Sequence, residues 1–190
     1  EELETLWESY GMDTTIDWDT TVADYKLLSS YDIIILSSYG AHYEYMIKEG
    51  ITEKIPGIIL SEKATREKDE LYANDLKMHR IAKVTVKGET LYAILPDFWT
   101  YYYGDGQLDG SFVFSESSEF MGTDENGDNS MADALLDSSV ESVIGFCNNV
   151  LSNYSRELMK AYVNALMNGY SSESAFEYAK QVCGENDYID

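Results

Sequence analysis

Apolar and polar positions follow three rhythms along this chain, and each rhythm predicts a kind of element. In Glu1–Tyr10, residues Leu3, Leu6, Trp7 and Tyr10 recur at the spacing of one helix face, and Gly11 follows as a C-cap. The same period predicts helices over Ser130–Leu136, Asn153–Asn168 and Ser172–Cys183. Gly169 stops the middle one, Ser171 or Ser172 caps the last, and Glu173 supports its first turn. Asp19, Thr20 or Thr21 caps a shorter helix reaching Leu28.

Short apolar runs form the second rhythm, within Tyr31–Ser38 (YDIIILSS), Phe112–Phe114 and Val140–Phe146. Such runs, closed off by polar or turn residues, predict buried strands of a parallel sheet. The segments between them are long enough for helical crossovers. Ile33–Leu36, Phe112–Phe114 and Val143–Ile144 are therefore expected side by side, with their side chains buried. Asp13–Trp18 predicts a further short strand, and Gly57–Leu60 is a brief apolar run. The third rhythm is strand-like alternation over His79–Ala93 about Lys87-Gly88, which predicts a β-hairpin. The charged stretch Glu62–Glu70 reads as a solvated loop or helix, and Gly122–Asn129 as a polar loop. The aromatic run Phe98–Tyr103 reads as core and rim packing. With no repeat or linker, residues 1–190 read as one α/β domain. A chain of this kind that opens on a helix leads to the expectation of a further strand upstream.

Charge changes this picture more than composition does. A hydrophobic content of 44% and a charged content of 25% are ordinary, but 35 acidic against 13 basic residues give a net charge of −22. Phosphate backbones and anionic lipids repel such a chain, so nucleic-acid binding is disfavoured. No apolar run approaches the length of a membrane-spanning helix, and no membrane insertion is expected. Sixteen tyrosines and only two cysteines, Cys147 and Cys183, beside the acidity point to an extracellular or cell-surface setting. The cysteines form no disulfide framework or metal pattern.

Candidate chemistry gathers where Phe112–Phe114 ends and Ser115, Glu116, Ser117, Ser118 and Glu119 begin. Ligands in open α/β sheets collect beyond the carboxyl ends of strands. Tyr39-Gly40-Ala41-His42 closes the other strong strand. His42 reads first as a loop histidine and His79 as structural. Glu116 and Glu119 read as the polar lining of a cleft mouth, and Cys147 as a buried free cysteine. Asp124, Asn126 and Asp128 resemble a weak calcium loop, but Asn129 stands where glycine is needed and Leu135 where a bidentate glutamate is needed. No cofactor is expected.

The order of these parts resembles the caspase-like cysteine peptidases, the group with caspases, gingipains, clostripain-like enzymes and CHAT domains. Asp32–Ser38 with Tyr39-Gly40 is similar to that family's His-Gly strand, and Phe112–Ser118 to its cysteine strand. Met131–Leu136 matches the following helix and Ser139–Gly145 (SVESVIG) the next strand. Asn153–Gly169 and Ser172–Ala179 match the closing helices. The resemblance covers roughly residues 20 to 180. It implies a three-layer fold, with a mostly parallel central sheet, helices on both faces and a small hairpin.

The same resemblance places Tyr39 at the histidine position and Ser118 at the cysteine position, with Ser117 as the alternative alignment. Tyrosine, with a pKa of about 10, is a poor general base near neutrality. A serine hydroxyl needs an adjacent base more than a thiol does. The expected function is a catalytically inactive, pseudopeptidase-type domain that binds a peptide or protein partner at the strand-end cleft. The alternative is a hydrolase using Ser118 or Ser117 with His42.

Overall fold

The computed structural model describes residues 2–48, 51–123 and 127–187. Two compact units emerge: Glu1–Trp18 with Val150–Asp190, and Asp19–Asn149.

The first unit is helical. Helix α1 (Glu2–Glu8) buries Trp7 and ends as expected, with Gly11 in the left-handed region at φ 83°. Met12 adopts the return by donating its N–H to the Trp7 carbonyl at 3.2 Å. Helices α6 (Ser152–Met167) and α7 (Ser172–Cys183) pack against each other. Tyr162 and Ser172 share a hydroxyl hydrogen bond of 2.8 Å, and the Tyr154 hydroxyl donates to the Gly184 carbonyl at 2.8 Å. Ser171 is the cap of α7, its side chain accepting from the Ser174 N–H at 3.3 Å. Asp13–Trp18, expected as a strand, is irregular chain.

The second unit is mixed α/β and contains two sheets. Strands β1 (Ile33–Leu36), β6 (Phe112–Ser115) and β7 (Ser142–Ile144) run parallel in the order β1-β6-β7, with Ile33 opposite Phe112 and Phe112 opposite Ser142. The three apolar runs are thus adjacent parallel strands, as expected. Burial is less complete than expected, because the faces differ: Ile34, Leu36 and Val113 are buried, whereas Ile33, Ile35 and Phe112 are half-buried.

The other sheet corrects the expectation of a single, mostly parallel sheet. Strands β2 (Gly40–Lys48), β3 (Ile51–Lys63), β4 (Ile81–Val86) and β5 (Glu89–Ile94) are all antiparallel, in the order β2-β3-β5-β4. The predicted hairpin is its β4–β5 half, turning through Lys87 and Gly88 at φ 52° and 86°. Two consecutive left-handed residues match the twist of the flanking strands. The brief run Gly57–Leu60 is the inner part of the long strand β3.

Helices α2 (Arg66–Leu71) and α3 (Ala73–Lys77) bridge β3 and β4. The aromatic run forms α4 (Pro96–Tyr103), with proline in its first turn, and α5 (Ser130–Asp137) follows β6. Phe98, Trp99 and Tyr103 of α4 and Met131 and Leu135 of α5 join Ile34, Leu36 and Val113 in one core. Packing is thus the main use of the aromatic run. The segment expected as a helix to Leu28 forms two 3₁₀ turns, Asp24–Lys26 and Leu28–Ser30. The residue at the N-cap of the first turn is Ala23, with no side-chain cap. Thr21 instead binds Asp24: its N–H and hydroxyl donate to the Asp24 carboxylate at 2.8 and 2.5 Å, and its oxygen accepts from the Asp24 N–H at 3.3 Å.

Two buried carboxylates fasten this segment. Glu62, at the end of β3, accepts from the Val22 N–H at 2.8 Å and the Tyr72 hydroxyl at 3.2 Å, and pairs with Lys68 at 2.9 Å. Asp75 pairs with Arg80 at 2.7 Å and Lys26 at 3.0 Å, and accepts from the Tyr102 hydroxyl at 2.9 Å. Both are 5% exposed, so Glu62 is not part of a solvated stretch. Burial of a carboxylate is tolerated only with such partners.

Candidate functional site

The carboxyl ends of β1 and β6 converge on one point. Beyond Leu36, residues Ser37–Gly40 leave the parallel sheet and enter the antiparallel one. Ser38 donates its hydroxyl to the Ile59 carbonyl, and the Tyr39 carbonyl accepts from the Ile59 N–H at 3.1 Å. Gly40 lies so close to the other loop that a Cβ there would overlap the Ser118 carbonyl oxygen. Only glycine permits this approach.

The loop after β6 is built from its hydroxyls. Ser115 is fully buried and accepts from the Ser117 N–H at 3.3 Å. Ser117, also buried, donates its hydroxyl to the Ser38 carbonyl at 3.0 Å and so ties the two strand ends together. Ser118 is half-buried beside it. Glu119 then adopts φ 57°, uncommon for a residue with a side chain, and donates its N–H to the Asn148 carbonyl at 2.7 Å. Asn148 is itself left-handed at φ 62° and donates to the Gly122 carbonyl at 2.9 Å. Met121 donates to the Phe146 carbonyl at 3.0 Å, so the loop beyond β7 braces the loop beyond β6.

This bracing aims the Glu119 carboxylate at His42. Its Oε2 lies 3.0 Å from His42 Nδ1, with both side chains partly exposed. Gly40 and His42 share one face of β2, because side chains alternate along a strand. The face on which Gly40 meets Ser118 therefore also carries His42 toward Glu119. A carboxylate on Nδ1 fixes the ring and leaves Nε2 for a ligand or proton.

Tyr39, the other candidate, goes elsewhere. It is 67% exposed, and its ring lies 5.6 Å from Lys87 Nζ at the tip of the β4–β5 hairpin. Glu116 extends the β1–β6 ladder by donating its N–H to the Leu36 carbonyl at 2.9 Å. Cys147 is exposed rather than buried, because β7 ends at Ile144 and leaves it in the following loop, 3.8 Å from the Met121 carbonyl. His79 is a left-handed turn residue between α3 and β4, at φ 53°. Of the calcium-loop candidates, Asp124 and Asn126 lie outside the described residues. Asp128 uses Oδ1 to accept from the Ser130 N–H at 2.9 Å, at the start of α5. Among the described residues no group of three or more histidine, cysteine, aspartate or glutamate side chains is placed to hold a metal ion, and no helix is long and apolar enough to cross a membrane.

The contact that sequence reasoning missed is His42–Glu119. Both residues were visible as polar positions at strand ends, but nothing in their spacing pairs them. In comparison with known proteins, no family model matches the chain, and no curated protein or solved structure matches it.

Proposed function

We propose that this chain is a caspase-like domain that has lost peptidase chemistry and serves as a binding module for a peptide or protein partner, in an exported or cell-surface setting. The observation that supports this most is the seat of Gly40 on the Ser118 carbonyl. It brings together the two strand ends that would carry the family's histidine and cysteine, while Tyr39 turns its ring out to Lys87. A thiol and an imidazole are both missing from those positions. General acid–base help alone is worth about 10²–10⁴-fold, so turnover of peptides falls below detection. The purified protein is expected to cleave no member of a peptide library above buffer. Tyr39→His combined with Ser118→Cys is expected to gain labelling by a thiol-directed peptide inhibitor that neither single variant shows. Cleavage by the unmodified protein would refute the proposal.

One observation favours a second reading. The 3.0 Å contact between Glu119 and His42 Nδ1 has the form of the carboxylate–histidine contact that orients the base in serine hydrolases. In that reading Ser118 is the nucleophile, because the Ser117 hydroxyl is committed to Ser38 and buried. A fluorophosphonate probe would then label Ser118, and labelling would vanish in His42→Ala and weaken in Glu119→Gln.

A further inference from the structure

Just before β4, the buried cation Arg80 has a hydrogen-bonding group with nothing to bind. Its Nε donates to Asp75 Oδ1 at 2.7 Å, but its Nη2, equally buried, has no acceptor. Asp75 is already engaged on both oxygens. Oδ1 also faces the Tyr102 hydroxyl at 2.9 Å, and Oδ2 faces that hydroxyl at 2.9 Å and Lys26 Nζ at 3.0 Å. A buried charged donor left without a partner is costlier than an ordinary lost hydrogen bond, so an acceptor belongs beside Nη2. The ring of Tyr101, on α4, lies over the guanidinium, 3.6 Å from Arg80 Cζ, and Tyr101 is itself 60% exposed. An exposed ring held by stacking can swing out by rotation about its own side-chain bonds.

We propose that Arg80, with Lys26 behind it, is a second binding site, for a carboxylate ligand that reaches Nη2 when the Tyr101 ring swings aside. Charge and shape select the ligand class. Two cations lean on one carboxylate, an excess of one positive charge in a chain of net charge −22. A water molecule would satisfy Nη2 but leave that charge. A phosphate group carries about −1.5 to −2 at pH 7 and exceeds it. A carboxylate brings one negative charge on two coplanar oxygens, the geometry that a guanidinium edge matches. A free organic acid and the C-terminus of a polypeptide both supply it. None of these residues belongs to the strand-end loops, so the assignment stands apart from what those loops do.

NMR of the Arg80 side-chain N–H signals tests this on the folded chain, with sodium acetate as the probe and sodium chloride holding the ionic strength constant. Acetate is expected to shift these signals saturably, and inorganic phosphate to bind more weakly. Tyr101→Ala is expected to bind acetate at least about tenfold more tightly, because a cover open about one-tenth of the time or less no longer divides the affinity. Lys26→Met, which removes the excess charge, is expected to weaken acetate about tenfold. N-acetyl-Ala-Ala-Ala with a free C-terminus separates the sources: binding tighter than acetate assigns the site to a polypeptide end, and weaker binding to a free acid. No saturable shift beyond that of chloride would overturn the proposal. So would phosphate binding as tight as acetate, equal binding of the C-terminally amidated peptide, or an acetate affinity unchanged in either variant.

Discussion

Gly40 is the residue on which the site's geometry turns. A methyl group there meets the backbone of Ser118 rather than a side chain that could swing aside. Gly40→Ala is therefore expected to cost about 1–3 kcal/mol, as overpacking does, and to lower the urea midpoint accordingly. Gly110→Ala provides the contrast. Its Cβ would meet nothing within 4 Å, but its φ of 78° leaves a strain of about 1–2 kcal/mol. Tyr72 offers a test by pH. Burial, and then the charge and hydrogen bond of Glu62, push its phenol up to about 12. An unfolded tyrosine titrates near 10, so at pH 10–12 the folded state keeps a proton that the unfolded state has lost. The stability contributed below pH 10 is expected to decline across that window. Tyr72→Phe removes this part of the decline, as urea midpoints from pH 9 to pH 12 would show. At this scale the sequence was a partial guide. Ser117, Ser118 and His42 stood out by chemistry and position, but Glu119 looked like cleft lining, because its role depends on a left-handed turn and on a strand far away in the chain.

Elements with strong local signals were the legible ones. Tyr31–Ser38 reads as a strand because four aliphatic residues run together, and α7 begins where Ser171 caps it. Ser171→Ala is expected to destabilise the protein by about 1 kcal/mol, since the Ser174 N–H loses its acceptor; thermal unfolding followed by circular dichroism measures this. The β2–β3 ribbon was illegible for the opposite reason. Residues 40–48 mix aromatic, charged and aliphatic types without alternation, and Pro56 argues against a strand. Its place resolves the conflict: β3 pairs with β5 only from Ile58 onward, so at Pro56 the strand has a partner on one side only, where a missing N–H is tolerated. The parallel and antiparallel sheets could not be told apart in advance because the break between them, at Ser37–Gly40, is made by contacts to Ile59.

For the whole molecule, acidity and two buried carboxylates pull in opposite directions. With 35 acidic and 13 basic residues, most carboxylates have no cation to pair with and repel one another. Raising NaCl from about 0.1 M to about 1 M shortens the screening length from about 10 Å to about 3 Å and is expected to raise the melting temperature. Glu62 and Asp75 stand apart from the exposed carboxylates, since both are buried among donors. Asp75→Ala strands Arg80 in the interior and is expected to cost about 3–5 kcal/mol, far more than any exposed acidic residue. Denaturant titration of Asp75→Ala beside Asp109→Ala, which changes an exposed acid, makes the comparison.

The ribbon also has a mechanical consequence. Nine residues of β2 span about 30 Å from Gly40 outward. At the near end sit the Gly40 seat on Ser118 and the His42–Glu119 contact. The ribbon is thus a lever with the strand-end loops at its fulcrum. A force on its far end would act on those loops as a torque proportional to the length of the arm, with the His42–Glu119 contact close to the pivot.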